Sequence, residues 1–502
     1  MEEEEIIITN CEVVEMPPPP PLMPPLCPHG PTMLFTKEFD KPAKKGRKRK
    51  LQGTPTTANL PQSQAKPYYA CSATRDLSFC SFRIDQHKWA TMQAKLREEQ
   101  IATQRDAIEP ADGYAYFLDI FDEEAEAEKG SKKSFAFCHD CGCILLSRAE
   151  LANIEGKESR DKHCFDLHLT YRCLKVTTGH PKSFFAEPTK LLRAATDNAG
   201  QAQYFFADSV APFIVEEIAR KGGFTKVLCI GCPTIHEHIV NRYSPTTLSS
   251  FLLDIDARFR QFWPPEQFAQ FNMFNYFFFN GEQQAAEHLS RFFHGNGQTG
   301  DTLVVVDPPF GGLIENLAAS IRRLQELMTQ SDLVEHLFFP PLVLFFPYFN
   351  EHWISKAFNG EVLLTDQIVQ YANHHKFSWK RGMPAKQEQP EAAAATTKHW
   401  INASSPVRVF TNLNRAQIDL SLLNDTDDPP EGGAEPFYRW CDMCNRYVFR
   451  LNQHCPSCDE CTARDATKKY AHCDVCNICV KCSWFHCQHC ARCHLKSAPC
   501  TA

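Results

Sequence analysis

The chain has 502 residues, a formal net charge of −7, 43% hydrophobic and 23% charged residues, and 24 cysteines. At about 100–200 residues per domain this length excludes one ordinary domain, and a composition near the globular norm excludes a chain that never buries a core. More than half of the cysteines crowd between Cys441 and Cys500, and none falls between Cys232 and Cys441. The N-terminus MEEEEIIITN has neither the basic start nor the apolar run of a secretory signal, so reduced thiols and bound metal are expected in place of a disulfide framework. No segment reads as membrane-spanning: the most apolar stretch, 337–349 (LFFPPLVLFFPYF), holds 13 residues and three prolines, where a spanning helix needs about 20 apolar residues.

Residues 1–25 are acidic, then proline-rich, a composition that cannot pack a core and reads as disordered. A first cysteine cluster occupies 26–92, with Cys27, His29, Cys71 and Cys80 as four zinc ligands around a polar insertion. Within that insertion, 41–50 (KPAKKGRKRK) carries seven Lys or Arg. Such a run is expected to be a nuclear or nucleolar address or a flexible arm on an anionic polymer. The CPHG opening, with an aromatic before the third ligand, resembles a GRF-type finger, which implies binding to single-stranded nucleic acid. The acidic runs 119–128 and 424–435 read as solvated linkers, so the negative net charge does not exclude nucleic acid.

A second cluster, 135–175, offers Cys138, Cys141, His163 and His168, C2H2 chemistry with an unusually long spacing between its halves. Cys143, Cys164 or Cys173 could replace a ligand.

From 185 to 425 the spacing ceases to look metal-like. Short continuous apolar runs alternate with helix-capable segments: Lys226–Ile230, 249–256, 274–279, Thr302–Val306 and 342–346 read as strands, with helices at 233–240, 282–293 and 313–328. That alternation indicates βαβ units and an open, mostly parallel α/β sheet covered on both faces, with ligands beyond the carboxyl ends of the strands. TLVVV runs directly into Asp307, Pro308, Pro309 and Phe310, placing them at such an end. The prolines fix an extended turn and two following glycines keep the backbone open.

An Asp-Pro-Pro-aromatic motif in this position resembles the signature of S-adenosylmethionine-dependent amino methyltransferases acting on adenine or cytosine nitrogen. The chemistry accounts for the motif. An exocyclic amine is a poor nucleophile, and the Asp307 carboxylate and Pro308 carbonyl can each accept one N–H and orient it. Phe310 would stack on the base, worth about 1–3 kcal/mol. Upstream, Gly231 after the first strand would let backbone approach the donor, and Asp254 near the end of the second could accept ribose hydroxyls.

In the C-terminal module, 436–502, the unit His-Cys-x2-Cys-x2-Cys follows Cys441 and Cys444 three times. Interleaving gives Cys441, Cys444, His454 and Cys461; Cys455, Cys458, His472 and Cys479; and Cys473, Cys476, His486 and Cys493. Cys487, Cys490, His494 and Cys500 would complete a fourth set. With the two N-terminal clusters that makes about five or six structural zinc ions, closed by four protein ligands each. The repeat also resembles the cysteine-rich core of palmitoyltransferases and some ubiquitin-ligase fingers, but the palmitoyltransferase nucleophile motif and its membrane helices are lacking.

The blocks AQYFFAD, VLCIGCP, LLDID, FNMFNYFFFNG, DPPFGG and SPVRVFTN, flanked by these clusters, resemble the zinc-finger CCHC domain-containing ribosomal-RNA N6-adenosine methyltransferase family over about residues 25–495. The resemblance implies a Rossmann-like methyltransferase domain flanked by several small zinc-binding modules. It further implies that Gln203, Tyr204, Phe205, Phe206, Asp254, Asn272 and Met273 line the donor pocket, and that the substrate is an adenosine in large-subunit ribosomal RNA. The family's name-giving knuckle and basic tail are not found before Ala502. Two other readings stay open on the residues alone: a zinc-array ubiquitin ligase, and a non-catalytic RNA-binding adaptor with a degenerate methyltransferase fold.

Overall fold

A computed structural model of the chain describes residues 24–27, 29–35, 67–71, 80–89, 92, 135–139, 142–145, 176–194, 203–295, 302–329, 338–373, 405–424 and 436–495. The basic run, the acidic runs and nearly all of 1–25 lie outside these residues. The chain divides into two compact units, the first made of 1–72 and 80–107 and the second of 73–79 and 108–502. In the first, the two-residue strands Leu26–Cys27 and Gly30–Pro31 pair as a hairpin. Met33–Phe35, Tyr68–Ala70 and Arg83–Asp85 form an antiparallel sheet beside it.

The second unit is built on an eight-stranded sheet. Its strands are β1 Lys226–Ile230, β2 Ser249–Asp254, β3 Phe268–Asn272, β4 Phe277–Phe278, β5 Thr302–Val306, β6 Leu342–Pro347, β7 Leu363–Ile368 and β8 Val407–Thr411. They lie in the order β4-β3-β2-β1-β5-β6-β8-β7. β3, β2, β1, β5 and β6 are parallel, while β8 runs antiparallel to both β6 and β7. Among its helices are α1 Pro233–Arg242, α2 Glu282–His294, α3 Ile314–Thr329 and α4 Glu351–Ala357.

β1 and β6 are buried along their whole length, as strands with helices on both faces must be. On one face Val227, Cys229, Leu252, Leu303, Val305, Val343 and Phe345 share a core with Ile235 and Ile239 of α1. On the other, Phe251 meets Phe292 of α2 at 5.7 Å. A helix entering β1, Val210–Phe213, continues as a π-helical stretch, Ile214–Arg220, whose wider turn is marked by the Lys221 N–H donating to the Glu216 carbonyl. The direction of strand addition reverses between β1 and β5, so the crevice of the sheet opens beyond their carboxyl ends.

One expected strand is displaced. The run 274–279 is not a parallel strand; the third parallel strand is Phe268–Asn272, and the chain turns back to pair Phe277–Phe278 antiparallel to it. The Asn272 side chain accepts from the Phe274 N–H at 3.0 Å and Tyr276 takes φ +54°, so the aromatic run is folded across a hairpin. The hairpin β7–β8 that closes the sheet had no expected counterpart.

Two cysteine modules pack on this unit. Phe135–Cys138, Cys143–Leu145 and Val176–His180 make a three-stranded sheet whose Phe137 and Ile144 enter the main core. The C-terminal module is four successive hairpins: β9 Tyr438–Cys441 with β10 Arg446–Phe449, β11 His454–Cys455 with β12 Glu460–Cys461, β13 Tyr470–Cys473 with β14 Ile478–Lys481, and β15 Trp484–Cys487 with β16 Arg492–Leu495. The first is fused to the sheet through Asp366 on β7. Its carboxylate takes Arg446 Nη1 at 2.6 Å, Asn452 Nδ2 at 2.8 Å and the Phe449 N–H at 3.1 Å, all buried. No helix among the described residues is long and apolar enough to cross a membrane.

Candidate active site

The turns after β1 and β5 touch. The Asp307 N–H donates to the Ile230 carbonyl at 3.0 Å, which carries the hydrogen bonding of the sheet one residue into the Asp-Pro-Pro-Phe loop. Beside it, Gly231 has φ +68°, and a Cβ there would lie 2.8 Å from the Asp307 carbonyl oxygen and 3.0 Å from Met273 Cε. Glycine is therefore needed both for the left-handed turn and for the close approach of the two loops. At the far end of the loop, a Cβ on Gly312 would overlap the Phe274 ring.

Asp307 is held by a residue outside the motif. Tyr371 O–H donates to Asp307 Oδ1 at 2.7 Å. Burial pushes the Asp307 carboxyl well above the usual carboxylate range; the Tyr371 hydrogen bond opposes that shift, and the charge of Asp254 adds to it. Tyr371 reaches the site because the segment 203–207 pairs with 370–373. Phe206 and Tyr371 form an antiparallel bridge, the Ala207 N–H donates to Gln370 O, the Ala372 N–H donates to Phe205 O, and Asn373 bonds both the Phe205 N–H and the Gln203 carbonyl. The Phe206 and Tyr371 rings stack at 5.1 Å. Phe310 lies between Phe346, 5.6 Å away and edge-on, and Tyr204, 6.5 Å away and nearly parallel. The last pair is at the long end of direct ring contact.

The other residues expected at the site fall around the same crevice, from the ends of β2 and β3. Asp254 is buried, and burial followed by the neighbouring charge of Asp256 raises its carboxyl to about 7. Asn272 and Met273 end β3, with Met273 facing Gly231. Gln203 donates to Asp256 Oδ2 at 3.2 Å. The structure thus brings together Gln203, Tyr204, Phe206, Gly231, Asp254, Met273, Asp307 and Phe310, and adds Tyr371, Asp256 and Arg258. Phe205 is buried in the core beside them. Asp256 was visible as the second acid of LLDID; Tyr371 had no local signal, because only the pairing with 203–207 carries it inward.

Four Cys3His sets are assembled: Cys27, His29, Cys71 and Cys80 in the first unit, and in the second Cys441, Cys444, His454 and Cys461; Cys455, Cys458, His472 and Cys479; Cys473, Cys476, His486 and Cys493. Cys487, Cys490 and His494 form a fifth group. Sulfur to His Nδ1 distances include 3.4 Å for Cys71 and His29, 3.3 Å for Cys444 and His454, 3.3 Å for Cys458 and His472, and 3.1 Å for Cys476 and His486. Sulfur pairs lie at 3.5, 3.8 and 3.6 Å in the three C-terminal sets. These sulfur separations far exceed the disulfide bond length of about 2.0 Å. They match the edges of a tetrahedron with Zn–S about 2.3 Å and Zn–N about 2.0–2.1 Å.

Each turn after a Cys-x2-Cys is left-handed, at Asn445, Asp459, Asn477 and Ala491, and Gly30 and Gly142 take the same region after their own knuckles. Asn, Asp and Gly tolerate that conformation, so the turn chemistry supports the ligand spacing. Of the second N-terminal set, Cys138 is buried with Cys143 in one small cluster. Cys141, His163 and His168 lie outside the described residues, as does Cys500.

The model of a family described as probable N6-adenine methyltransferase matches residues 197–393, the stretch that holds the crevice. Proteins named rRNA N(6)-adenosine-methyltransferase ZCCHC4 align over most of the chain. That of Xenopus tropicalis is 33% identical over 437 residues, 86% of this chain and 73% of its own length. That of Homo sapiens is 31% identical over 468 residues, 92% of this chain and 75% of its own. That of Xenopus laevis is 34% identical over 434 residues, 86% and 72% respectively.

Proposed function

The chain belongs to the rRNA N6-adenosine methyltransferase family, and we propose that it methylates N6 of an adenosine in large-subunit ribosomal RNA through Asp307, Pro308 and Phe310. The observation that carries this reading is the part-buried Asp307 carboxyl, bonded by Tyr371 on one oxygen beside the aromatic rings of Tyr204, Phe310 and Tyr371. S-adenosylmethionine, which the family implies, supplies an electrophilic sulfonium methyl when bound. The residues present fit that group. Gly231 lets the turn after β1 close against the Asp307 loop at the sheet's carboxyl end, Asp254 offers an acceptor at the end of β2, and Met273 and Gln203 flank them.

Tyr371 donation to Oδ1 leaves Oδ2 to accept one N–H of the target amine, and the Pro308 carbonyl accepts the other. Two acceptors fix the rotation of the amine and point its remaining lobe toward the donor side of the crevice. The carboxylate also favours the positive charge that develops on nitrogen as it is methylated, and burial makes that interaction stronger than in water. Phe310, with Tyr204 opposite, provides the stacking surface for a base that has left its own stack.

The Cys3His sets use all four positions for protein side chains, so zinc there is structural and supplies folding energy to hairpins too short to bury a core. The exposed Trp484 and Phe485 on β15 give the module aromatic faces suited to unpaired bases. A nuclear and nucleolar site of action is proposed from the basic run 41–50.

The test is to incubate the chain with labelled donor and separately purified large- and small-subunit ribosomal RNA, then to digest to nucleosides. Labelled N6-methyladenosine from the large-subunit RNA alone is expected. Label in small-subunit RNA overturns the subunit assignment, and its absence from both overturns the function.

A further inference from the structure

Arg258, on the loop after β2, makes a set of contacts that methyl transfer as described does not use. Its Nε donates to Asp256 Oδ1 at 2.9 Å and its Nη2 to Oδ2 at 2.7 Å, a two-pronged pair that a lysine cannot copy. Nη2 also donates to Gln203 Oε1 at 3.3 Å, and Nη1 to the Arg193 carbonyl at 3.1 Å. Gln203 closes the triangle through its bond to Asp256, while the Asp256 N–H donates to Asp254 Oδ1 at 2.9 Å.

The second cysteine hairpin walls Arg258 from outside. A Cβ on Gly142, at φ +69°, would lie 2.8 Å from Leu192 Cδ2, 3.3 Å from Arg258 Cδ and 3.4 Å from Arg258 Nη1. Gln261 then clasps that hairpin, accepting from the Ile144 N–H at 2.8 Å and donating to the Gly142 carbonyl.

We propose that Arg258 is a positioning residue for the methyl donor, holding Asp256 and Gln203 so that Asp254 and Gln203 are presented to it, and that the cysteine hairpin at Gly142 buttresses Arg258. The inference rests on the donor-site reading given above.

Asp254 accepts from ribose hydroxyls most strongly when ionised, because both oxygens are then acceptors and the bonds are charge-assisted. Burial raises its carboxyl first and the like charge of Asp256 second; the Asp256 N–H and the Arg258 charge lower it. From other elements, Asp307 after β5 and Cys232 before α1 also interact electrostatically with Asp254. With Arg258 in place the Asp256 charge is paired. Without it that charge acts more strongly on Asp254, and Gln203 loses the donor to its Oε1.

The test is calorimetric titration of the zinc-loaded full chain with S-adenosylhomocysteine, from about pH 6 to 9. Arg258→Ala is expected to weaken binding about tenfold or more at neutral pH and to move the acid limb of the affinity profile to higher pH. Arg258→Lys should recover part of the loss. Adding Asp256→Asn to Arg258→Ala should return the limb toward its original position, because the like charge is gone. Unchanged affinity in Arg258→Ala, or a pH-independent loss that Asp256→Asn does not relieve, overturns the positioning role; if Arg258→Ala does not fold, Arg258→Lys with and without Asp256→Asn decides it by the same limb.

Gly142→Ala should shift the limb in the same sense with zinc content unaltered, and an unmoved limb overturns the buttress. Asp254→Asn separates the two levels. If it leaves affinity intact, the donor-site reading fails; if it abolishes binding while Arg258→Ala does not weaken it, the positioning inference alone fails.

Discussion

Replacing Tyr371 with phenylalanine removes one oxygen atom and, with it, the 2.7 Å donor to Asp307 Oδ1, while the ring stacked on Phe206 keeps its shape. A hydrogen bond to a charged acceptor is worth about 1.5–3 kcal/mol net, which corresponds to roughly ten- to a hundredfold in rate if the bond stabilises the ionised carboxylate that orients the amine. The sign follows from the competing causes. Burial raises the Asp307 carboxyl and Tyr371 holds it down. Removing Tyr371 therefore raises it further.

The ionised form is the acceptor, so activity falls as pH drops through the folded-state pKa. In Tyr371→Phe that fall begins at higher pH. Single-turnover methylation of ribosomal RNA from about pH 6 to 9 should show a lower rate than the parent and an acid limb displaced to higher pH. S-adenosylhomocysteine affinity should be nearly unchanged. A variant with an unshifted limb and an undiminished rate would refute the assignment of Tyr371 as the group that opposes the upward shift of Asp307.

Gly231→Ala forces a side chain into a left-handed turn and against the Asp307 carbonyl; donor affinity should drop by about tenfold or more in a calorimetric titration, with RNA binding by filter assay retained. Asp366→Ala leaves the buried Arg446 guanidinium without its carboxylate, and chemical denaturation should show a loss of about 3–5 kcal/mol. Chelating zinc should unfold the C-terminal hairpins, and hydrogen exchange should then show β7 losing protection, since Asp366 ties it to β10; unaffected exchange in β7 would contradict that coupling.

Glu237 is buried on α1, and burial raises its carboxyl to about 7 although it accepts from the Thr189 N–H and hydroxyl. A raised folded-state pKa favours the protonated form, so its contribution to stability is complete below the unfolded-state value and is lost as pH rises toward about 7. Glu237→Gln should therefore match the parent near pH 5 and exceed it by about 1–3 kcal/mol near pH 8, measured by denaturant melts. A gain of equal size at both pH values would show that titration is not the cause.

What could be read along the chain was whatever physics keeps local. Four of the five parallel strands were legible as short continuous apolar runs, because strands covered on both faces need no polar alternation. The Asp-Pro-Pro-Phe loop was legible because a strand running into two prolines must end there. The interleaved Cys3His sets were legible because metal ligands keep a fixed spacing along the chain. The third strand was misplaced by a few residues, since in FNMFNYFFFN composition alone does not show where Asn272 and Tyr276 turn the chain.

Only the tertiary structure could decide the rest. Tyr371 meets Asp307 across 64 positions, and Arg446 meets Asp366 across 80. Neither pair leaves a periodicity, because the partner is chosen by strand order and by which loops share an end of the sheet. The same holds for Arg258, whose place between Gly142 and Asp256 depends on how a cysteine hairpin docks. Sequence by itself pointed to the class of chemistry and to the Cys3His sets that could hold a metal ion, which depend on residue type at short spacing. The fold decided which carboxyls are pushed upward by burial and which neighbours oppose that shift, because burial and the distance between charges exist only once the chain has folded.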